Sequence, residues 1–155
     1  MGTGVIVGQN LGSSESERAE KAGYLTAKLS FIFMLAAGII LALTPGPIMG
    51  IFTADEEIIR IGAAFLRYFT IAAVFMGPAG SLSSILNGAG DNMPAMMGAL
   101  ISIWFVQIPL LYVSIQLLQL SVEWVWISYI VAYAVHYYVI LRYVKGGKWK
   151  DKCVI

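Results

Sequence analysis

The charged residues of this chain leave four long uncharged stretches, and these stretches constrain the fold more than any other feature. They contain 26, 23, 31 and 18 residues, at 29–54, 68–90, 92–122 and 124–141. An α-helix needs about 20 apolar residues to cross the hydrocarbon core of a bilayer. The apolar pattern is continuous instead of alternating, which excludes the strands of a closed membrane barrel. The sequence therefore predicts four transmembrane helices.

The composition excludes several other classes of protein. Of the 155 residues, 59% are hydrophobic and 12% are charged, whereas a soluble domain has roughly 25% charged residues. A soluble globule of this size cannot bury so much apolar surface. The net charge of +1 lacks the strong positive charge that is typical of proteins that bind nucleic acid. We therefore expect an all-α polytopic membrane protein whose surroundings are the lipid bilayer.

The positions of Lys and Arg predict the orientation. Three basic residues precede the first span and five follow the fourth, and four crossings put both ends on the same side. We therefore expect a multi-pass protein of the inner (plasma) membrane with both termini cytoplasmic. The opposite side is expected to hold four acidic residues, Asp55, Glu56, Glu57 and Glu123, together with Arg60 and Arg67. Tyr143 and Trp149 are expected at the inner membrane interface.

The whole chain, 1–155, is expected to form a single membrane domain. Ser14 and Glu17 have the spacing of a capping box, which predicts the start of a helix. The predicted segments are the end of a truncated helix at 1–12, a cytoplasmic amphipathic helix start at 14–28, spans at about 29–51, 68–88, 94–118 and 123–144, and a basic cytoplasmic tail at 145–155.

Prolines affect the first and third spans in different ways. Pro45 and Pro47 bracket Gly46, so the end of the first span is expected to kink or unwind. In the third span Pro109 frees the carbonyl of Phe105, which must find a partner because lipid offers none. This part of the third span is therefore expected to face protein or a wet cavity.

Polar and aromatic side chains inside the spans are candidates for a cavity lining. Tyr129, Tyr133 and Tyr137 recur at i, i+4 spacing beside His136. Aromatic faces can hold organic cations, although such stripes more often serve packing. Gln107 is either a local hydrogen-bond partner or a cavity residue. The candidate cavity-lining residues are Ser84, Asn87, Gln107, Tyr133 and His136.

Several kinds of site are not expected. His136 has no acidic neighbour in its helix and no second His, so the sequence predicts no metal site. No Asp or Glu lies inside a predicted span, although transport coupled to protons or sodium normally uses such a carboxylate. No P-loop, nucleophile elbow or zinc helix is present. We therefore expect neither an enzyme nor a cofactor.

Short loop motifs give the chain a family resemblance. The runs Val7-Gly8-Gln9-Asn10-Leu11-Gly12 and Asn87-Gly88-Ala89-Gly90-Asp91 resemble two successive cytoplasmic loops of the multidrug and toxic compound extrusion (MATE) family. The segments 51–57 and 107–110 are similar to its outer loop and its following helix, in the same order and with the same spacing. The matched loop residues are Gly8, Gln9, Asn10, Gly12, Gly88, Gly90 and Asp91. For most of them, tight turns and helix capping are a simpler role than gating.

The resemblance implies a fold of two six-helix lobes around a central cavity. It also implies antiport of organic cations and other toxic compounds in exchange for protons or sodium. This chain would supply four helices of the C-terminal lobe, with a missing N-terminal half or a homo-oligomer as its partner. Family members usually have Arg where Gln107 stands, and some have Asp near Met76. We therefore expect a partial efflux transporter that is inactive alone.

Two alternatives remain open at this point. One is a lipid-linked oligosaccharide flippase fragment of the same superfamily, for which a cationic cavity is typical. The other is a self-contained four-helix membrane protein with a structural role, as a homodimer. Small four-helix drug-resistance transporters rely on a carboxylate in their first span, and 29–54 contains none.

Overall fold

The computed structural model describes residues 2–151, and short loops join the helices in this part of the chain. Four of the helices are long and apolar enough to cross a membrane, which confirms the predicted all-α polytopic fold. Met1 and residues 152–155 of the predicted first and last segments lie outside the described residues. The helices are α1 (Gly2–Gly12), α2 (Ser16–Leu43), α3 (Pro45–Gly50), α4 (Glu56–Gly88), α5 (Asn92–Leu117) and α6 (Glu123–Lys145), followed by a 3-10 turn at Lys148–Asp151.

The long helix α4 is the centre of the arrangement. It packs extensively against α2 on one side and against α6 on the other. Helix α5 packs mainly on α6, and the short α1 lies against both α2 and α4. The hydroxyls of Ser30 and Ser81 are 2.7 Å apart and join α2 to α4 by a hydrogen bond. The four long helices therefore stand in the order α2, α4, α6, α5.

Most of the apolar surface of these helices faces outward. Only 11–17% of the most apolar window of each long helix is buried within the chain. Large side chains such as Phe33 and Phe105 are 69% and 76% exposed. Apolar surface on this scale is not stable in water. The long helices therefore need lipid or further helices around them.

The start of α2 differs from the predicted capping box. The helix begins at Ser16 with Glu15 at the N-cap position, and no side chain caps it. Ser14 has a left-handed backbone (φ 60°) and belongs to the preceding turn. The turn is closed by the backbone bond from the Glu15 N–H to the Asn10 carbonyl, at 2.8 Å. The capping-box prediction is wrong because this tight turn displaces Ser14 from the N-cap.

Helix α2 runs without a break from Ser16 to Leu43, so the charged first turns and the first span form one element. The chain leaves helical geometry at Thr44 (φ −124°), and α3 begins at Pro45. The break predicted from Pro45 and Pro47 is therefore confirmed. Helix α4 starts beyond it, capped by the Asp55 carboxylate, which accepts from the N–H groups of Glu57 and Ile58.

Helix α5 is irregular around Pro109. Residues Ile101–Gln107 and Val113–Leu117 are π-helical, with α-helical turns between them. The Ile108 N–H donates to the Ile103 carbonyl five residues back, instead of four. Proline lacks an N–H, and a π-helical stretch is one way in which the helix re-pairs its backbone groups.

The segment after α6 folds back onto the helices. Gly147 has a left-handed backbone (φ 71°), which lets the chain reverse after Lys145. Trp149 is only 1% exposed, and its Nε1–H donates to the Val144 carbonyl at 2.9 Å. Trp149 therefore packs against protein instead of lipid, and its level in the membrane stays a prediction. It belongs to a buried cluster that includes Val7, Ala19, Ile85, Leu86, Ile140 and Val144.

An ion pair joins the segment after α6 to α2. The Lys150 Nζ lies 2.6 Å from the Glu20 carboxylate, and both side chains are about one-third exposed. Lys150 also lies 5.9 Å from the centre of the Trp149 ring. The first residues of the predicted basic tail are therefore part of the packed fold.

Candidate functional site

The main candidate site is a cavity of about 390 Å³ between α5 and α6, here called the α5–α6 cavity. Its volume falls in the range of small-molecule sites, roughly 300–1,000 Å³. The residues that line it are Ala99, Ser102, Ile103 and Gln107 of α5 and Tyr129, Ala132, Tyr133 and His136 of α6.

The local geometry of α5 explains which residues reach this cavity. Ser102, Ile103 and Gln107 all belong to the π-helical stretch before Pro109. With i to i+5 hydrogen bonding, Ser102 and Gln107 share one face of the helix. Just before this stretch, a Cβ on Gly98 would lie 2.7 Å from Ile140 Cδ1. A small residue at this point therefore lets α5 and α6 approach closely beside the cavity.

One polar atom in the wall of the cavity has no partner. The Nε2 of His136 is buried and makes no hydrogen bond to any described residue. By contrast, the Ser102 hydroxyl donates to the Gly98 carbonyl at 2.7 Å and is satisfied. Buried polar atoms in native proteins are nearly always paired, and an exception needs a physical explanation. A neutral imidazole nitrogen can accept or donate a hydrogen bond, but Nε2 is buried, so a guest in the cavity reaches it only if the His136 ring moves.

A second cavity of about 380 Å³ adjoins the first on the other side of α6. Tyr129 and Tyr133 line both cavities, so these two rings stand between them. The ring of Trp126 lies 5.4 Å from that of Tyr68 and 6.0 Å from that of Phe65. The second cavity is thus walled largely by aromatic rings of α4 and α6: Phe65, Phe69, Trp126, Tyr129 and Tyr133.

Three of the five predicted cavity residues meet in the α5–α6 cavity: Gln107, Tyr133 and His136. Ser84 and Asn87 are not among its lining residues. The Ser84 hydroxyl donates to the Gly80 carbonyl at 2.9 Å, and Asn87 is exposed near the end of α4. Of the predicted tyrosine stripe, Tyr129 and Tyr133 reach the cavities. The ring of Tyr137 instead packs 6.3 Å from that of Phe75.

The glycines of the loop motifs have two different roles. Gly8 and Gly88 lie where α1 crosses α4, and a Cβ on Gly8 would lie 3.0 Å from the Gly88 carbonyl oxygen. Gly90 has a φ of 72° and allows the turn between α4 and α5. Gly12 has no atom within 4 Å of an added Cβ. Two of the four glycines therefore serve helix packing, and one serves a turn.

The polar residues of the same motifs stand at helix ends. The Asn10 side-chain amide donates to the Ile6 carbonyl at 2.7 Å within α1. The neighbouring Gln9 carbonyl accepts the Ser13 N–H at 3.1 Å. Asp91 occupies the N-cap position of α5, but its side chain makes no capping hydrogen bond to the helix. The Asn10 and Gln9 contacts are of the turn and helix-end kind anticipated for the motifs, and capping by Asp91 stays a prediction.

Sequence reasoning missed part of the cavity wall. Ala99 and Ala132 carry no chemical signal that sets them apart from other small residues of the spans. Ser102 does carry one, because it precedes Gln107 by five residues. That spacing becomes informative only once the π-helical stretch before Pro109 is known.

Comparisons with known proteins agree with this architecture. The profile of the MatE family matches residues 1–113. The chain is 30% identical over 127 residues to a protein of Thermotoga maritima named "Probable multidrug resistance protein NorM", covering 82% of this chain and 27% of the relative. It is 23% identical over 149 residues to human "Multidrug and toxin extrusion protein 1", covering 96% and 26%.

A third relative, "Probable multidrug resistance protein YoeA" of Bacillus subtilis, is 22% identical over 148 residues, covering 96% of this chain and 32% of the relative. No solved structure matches the chain significantly. The chain thus spans between about a quarter and a third of the length of these relatives. With four membrane-type helices and a family profile that covers most of its residues, the chain belongs to the MatE family of multidrug and toxic compound extrusion transporters.

Proposed function

We propose that this chain forms part of one wall of the substrate cavity of a MATE-type secondary active efflux transporter. Its substrates would be organic cations and other xenobiotics, exchanged for protons or sodium. The observation that carries the proposal is the α5–α6 cavity, whose lining brings together Gln107, Tyr133 and His136. The names of the relatives as multidrug resistance proteins support the same class of cargo.

The lining of the cavity favours this cargo over that of a flippase. A lipid-linked oligosaccharide carries phosphate, and a pocket for it needs cationic side chains. The residues around the α5–α6 cavity include neither Lys nor Arg. Aromatic rings such as those of Tyr129 and Tyr133 instead attract organic cations through their faces. The arrangement therefore supports binding of apolar or cationic guests.

We propose further that the chain does not transport alone. Its predicted spans contain no carboxylate that could exchange a proton or sodium ion. Its most apolar windows are only 11–17% buried, which leaves room for other helices to pack against them. A missing half of the transporter would then complete the cavity.

Dye efflux tests this proposal. The chain is expressed in efflux-deficient bacteria by itself, or together with the part of the Thermotoga maritima relative that it does not match. Ethidium extrusion is expected only with both parts. Extrusion by the chain alone would contradict the claim that it is incomplete. A stable symmetric pair of this chain in membrane crosslinking, without extrusion, would favour a structural role.

We also propose that this is a protein of the plasma membrane with both termini in the cytoplasm. The basic residues flank the first and fourth spans, as the positive-inside rule requires. Single cysteines at Lys148 and Thr53, in a variant without Cys153, test the orientation with a membrane-impermeant thiol reagent in intact cells. Labelling is expected at position 53 and not at position 148. The reverse pattern would refute the orientation.

A further inference from the structure

A cleft at the basic end of the molecule lies away from the α5–α6 cavity. It has a volume of about 410 Å³ and is formed where the end of α4, the start of α5 and the end of α6 meet the returning tail. Most of its lining is apolar or aromatic. The lining residues are Leu86, Asp91, Pro94, Arg142, Tyr143, Gly146, Lys148 and Trp149.

The floor of this cleft is rigid and apolar. Leu86 and Trp149 are each 1% exposed and belong to the buried cluster described above. The indole N–H of Trp149 is already bonded to the Val144 carbonyl, so no polar group of this ring lies unpaired beneath the cleft. The accessible apolar wall above it is formed by Pro94 and Tyr143. Such a floor suits the hydrocarbon and glycerol part of a ligand, and would not suit a small hydrated ion alone.

Two cations line the same cleft and are available to an anion. Among the described residues, neither Arg142 nor Lys148 takes part in an ion pair, and both are exposed. The Arg142 guanidinium lies 5.5 Å from the centre of the Tyr138 ring, a contact that leaves its charge uncompensated. Asp91 also lines the cleft, so its three charged side chains give a formal charge of +1.

The position of the cleft along the chain matches the level of lipid phosphates. Arg142 is the first charged residue after the uncharged stretch 124–141, so it stands at the boundary of the hydrocarbon core. Basic pockets at the ends of membrane helices recognise anionic headgroups. We infer that this cleft binds one anionic phospholipid, with its phosphate at Arg142 and Lys148 and its glycerol and upper acyl chain against Pro94 and Tyr143, above the buried Trp149.

Retention of lipid by the purified full chain tests the inference. The chain in detergent is incubated with an equimolar mixture of phosphatidylglycerol and phosphatidylcholine, and native mass spectrometry measures which lipid stays bound. Wild type is expected to be enriched in phosphatidylglycerol. Each cation near an anionic headgroup contributes about fivefold in affinity, so the double variant R142Q/K148Q should lose about 25-fold.

The matched control is K28Q/K145Q, which removes the same charge from exposed side chains outside the cleft. It is expected to keep the enrichment. An equal loss in both double variants would overturn the inference, because binding would then follow net charge alone. Displacement of the lipid by millimolar inorganic phosphate would also overturn it, because the ligand would then be free phosphate.

A second measurement keeps both cations in place. Trp149 is one of four tryptophans, and replacing Trp104, Trp124 and Trp126 by Phe leaves it as the sole emitter. Brominated phosphatidylglycerol is expected to quench its fluorescence more strongly than brominated phosphatidylcholine does. Equal quenching by the two lipids would contradict a headgroup-specific site beside Trp149.

Discussion

The crossing of α1 and α4 gives a sharp test of the fold, through the substitution Gly88→Ala. A Cβ at this position would lie 2.8 Å from the Gly4 Cα and closer still to the Gly4 carbonyl oxygen. These are backbone atoms, so no side chain can rotate to make room. Ordinary contact begins at 3.4 Å, and α1 would have to move by about 0.6 Å or more. Overpacking of this kind costs about 1–3 kcal/mol.

The same helix provides a control of opposite sign. Gly80 lies two turns earlier in α4, and nothing lies within 4 Å of an added Cβ there. Gly80→Ala is therefore expected to stabilise the helix by about 0.5–1 kcal/mol through its conformational entropy. Thermal unfolding in detergent, followed by far-UV circular dichroism, measures both. Each kcal/mol of change in the free energy of unfolding shifts the Tm by about 2–4 °C. Gly88→Ala should therefore lower the Tm, and Gly80→Ala should raise it. Equal shifts would refute the close approach of α1.

Three further substitutions probe the cavity and the returning tail by the same unfolding assay. His136→Leu is expected to leave the Tm unchanged or raise it, since it removes a buried unpaired atom; a loss above about 1 kcal/mol would show that Nε2 is paired. Trp149→Ala should cost about 3–5 kcal/mol because it empties the buried cluster, whereas Trp149→Phe should cost less. Lys150→Met breaks an ion pair with Glu20 whose side chains are about one-third exposed and should cost less than about 1 kcal/mol, and a larger loss would mark this pair as essential to the fold.

The tail shows a packing that local chemistry did not predict. A tryptophan next to lysines beyond the last span resembles a membrane-interface anchor. In the fold, Gly147 reverses the chain and Trp149 enters a cluster with Val7 and Ile85, residues far away in sequence. The local sequence around a tryptophan is the same whether its side chain anchors to lipid or packs beneath a helix end. Only the path of the backbone decides between the two placements.

The lining of the α5–α6 cavity was also only partly predictable from the sequence. Gln107, Tyr133 and His136 were predicted because polar and aromatic groups inside lipid-embedded helices need a reason to be there. Ser84 satisfies that need locally through the Gly80 carbonyl, which its sequence context does not reveal. Which of these groups share a cavity depends on how α5 and α6 cross and on the π-helical stretch before Pro109.

The sequence by itself determined that the chain crosses a membrane with four helices and belongs to the MatE family. Lipid imposes the helical crossings, because a long uncharged segment inside a bilayer must pair all its backbone groups internally. Tertiary structure alone decided the helix order, the closeness of Gly88 to Gly4 and the burial of Trp149. A helix surrounded by lipid is apolar on every side, so its hydrophobic pattern does not indicate which face meets protein.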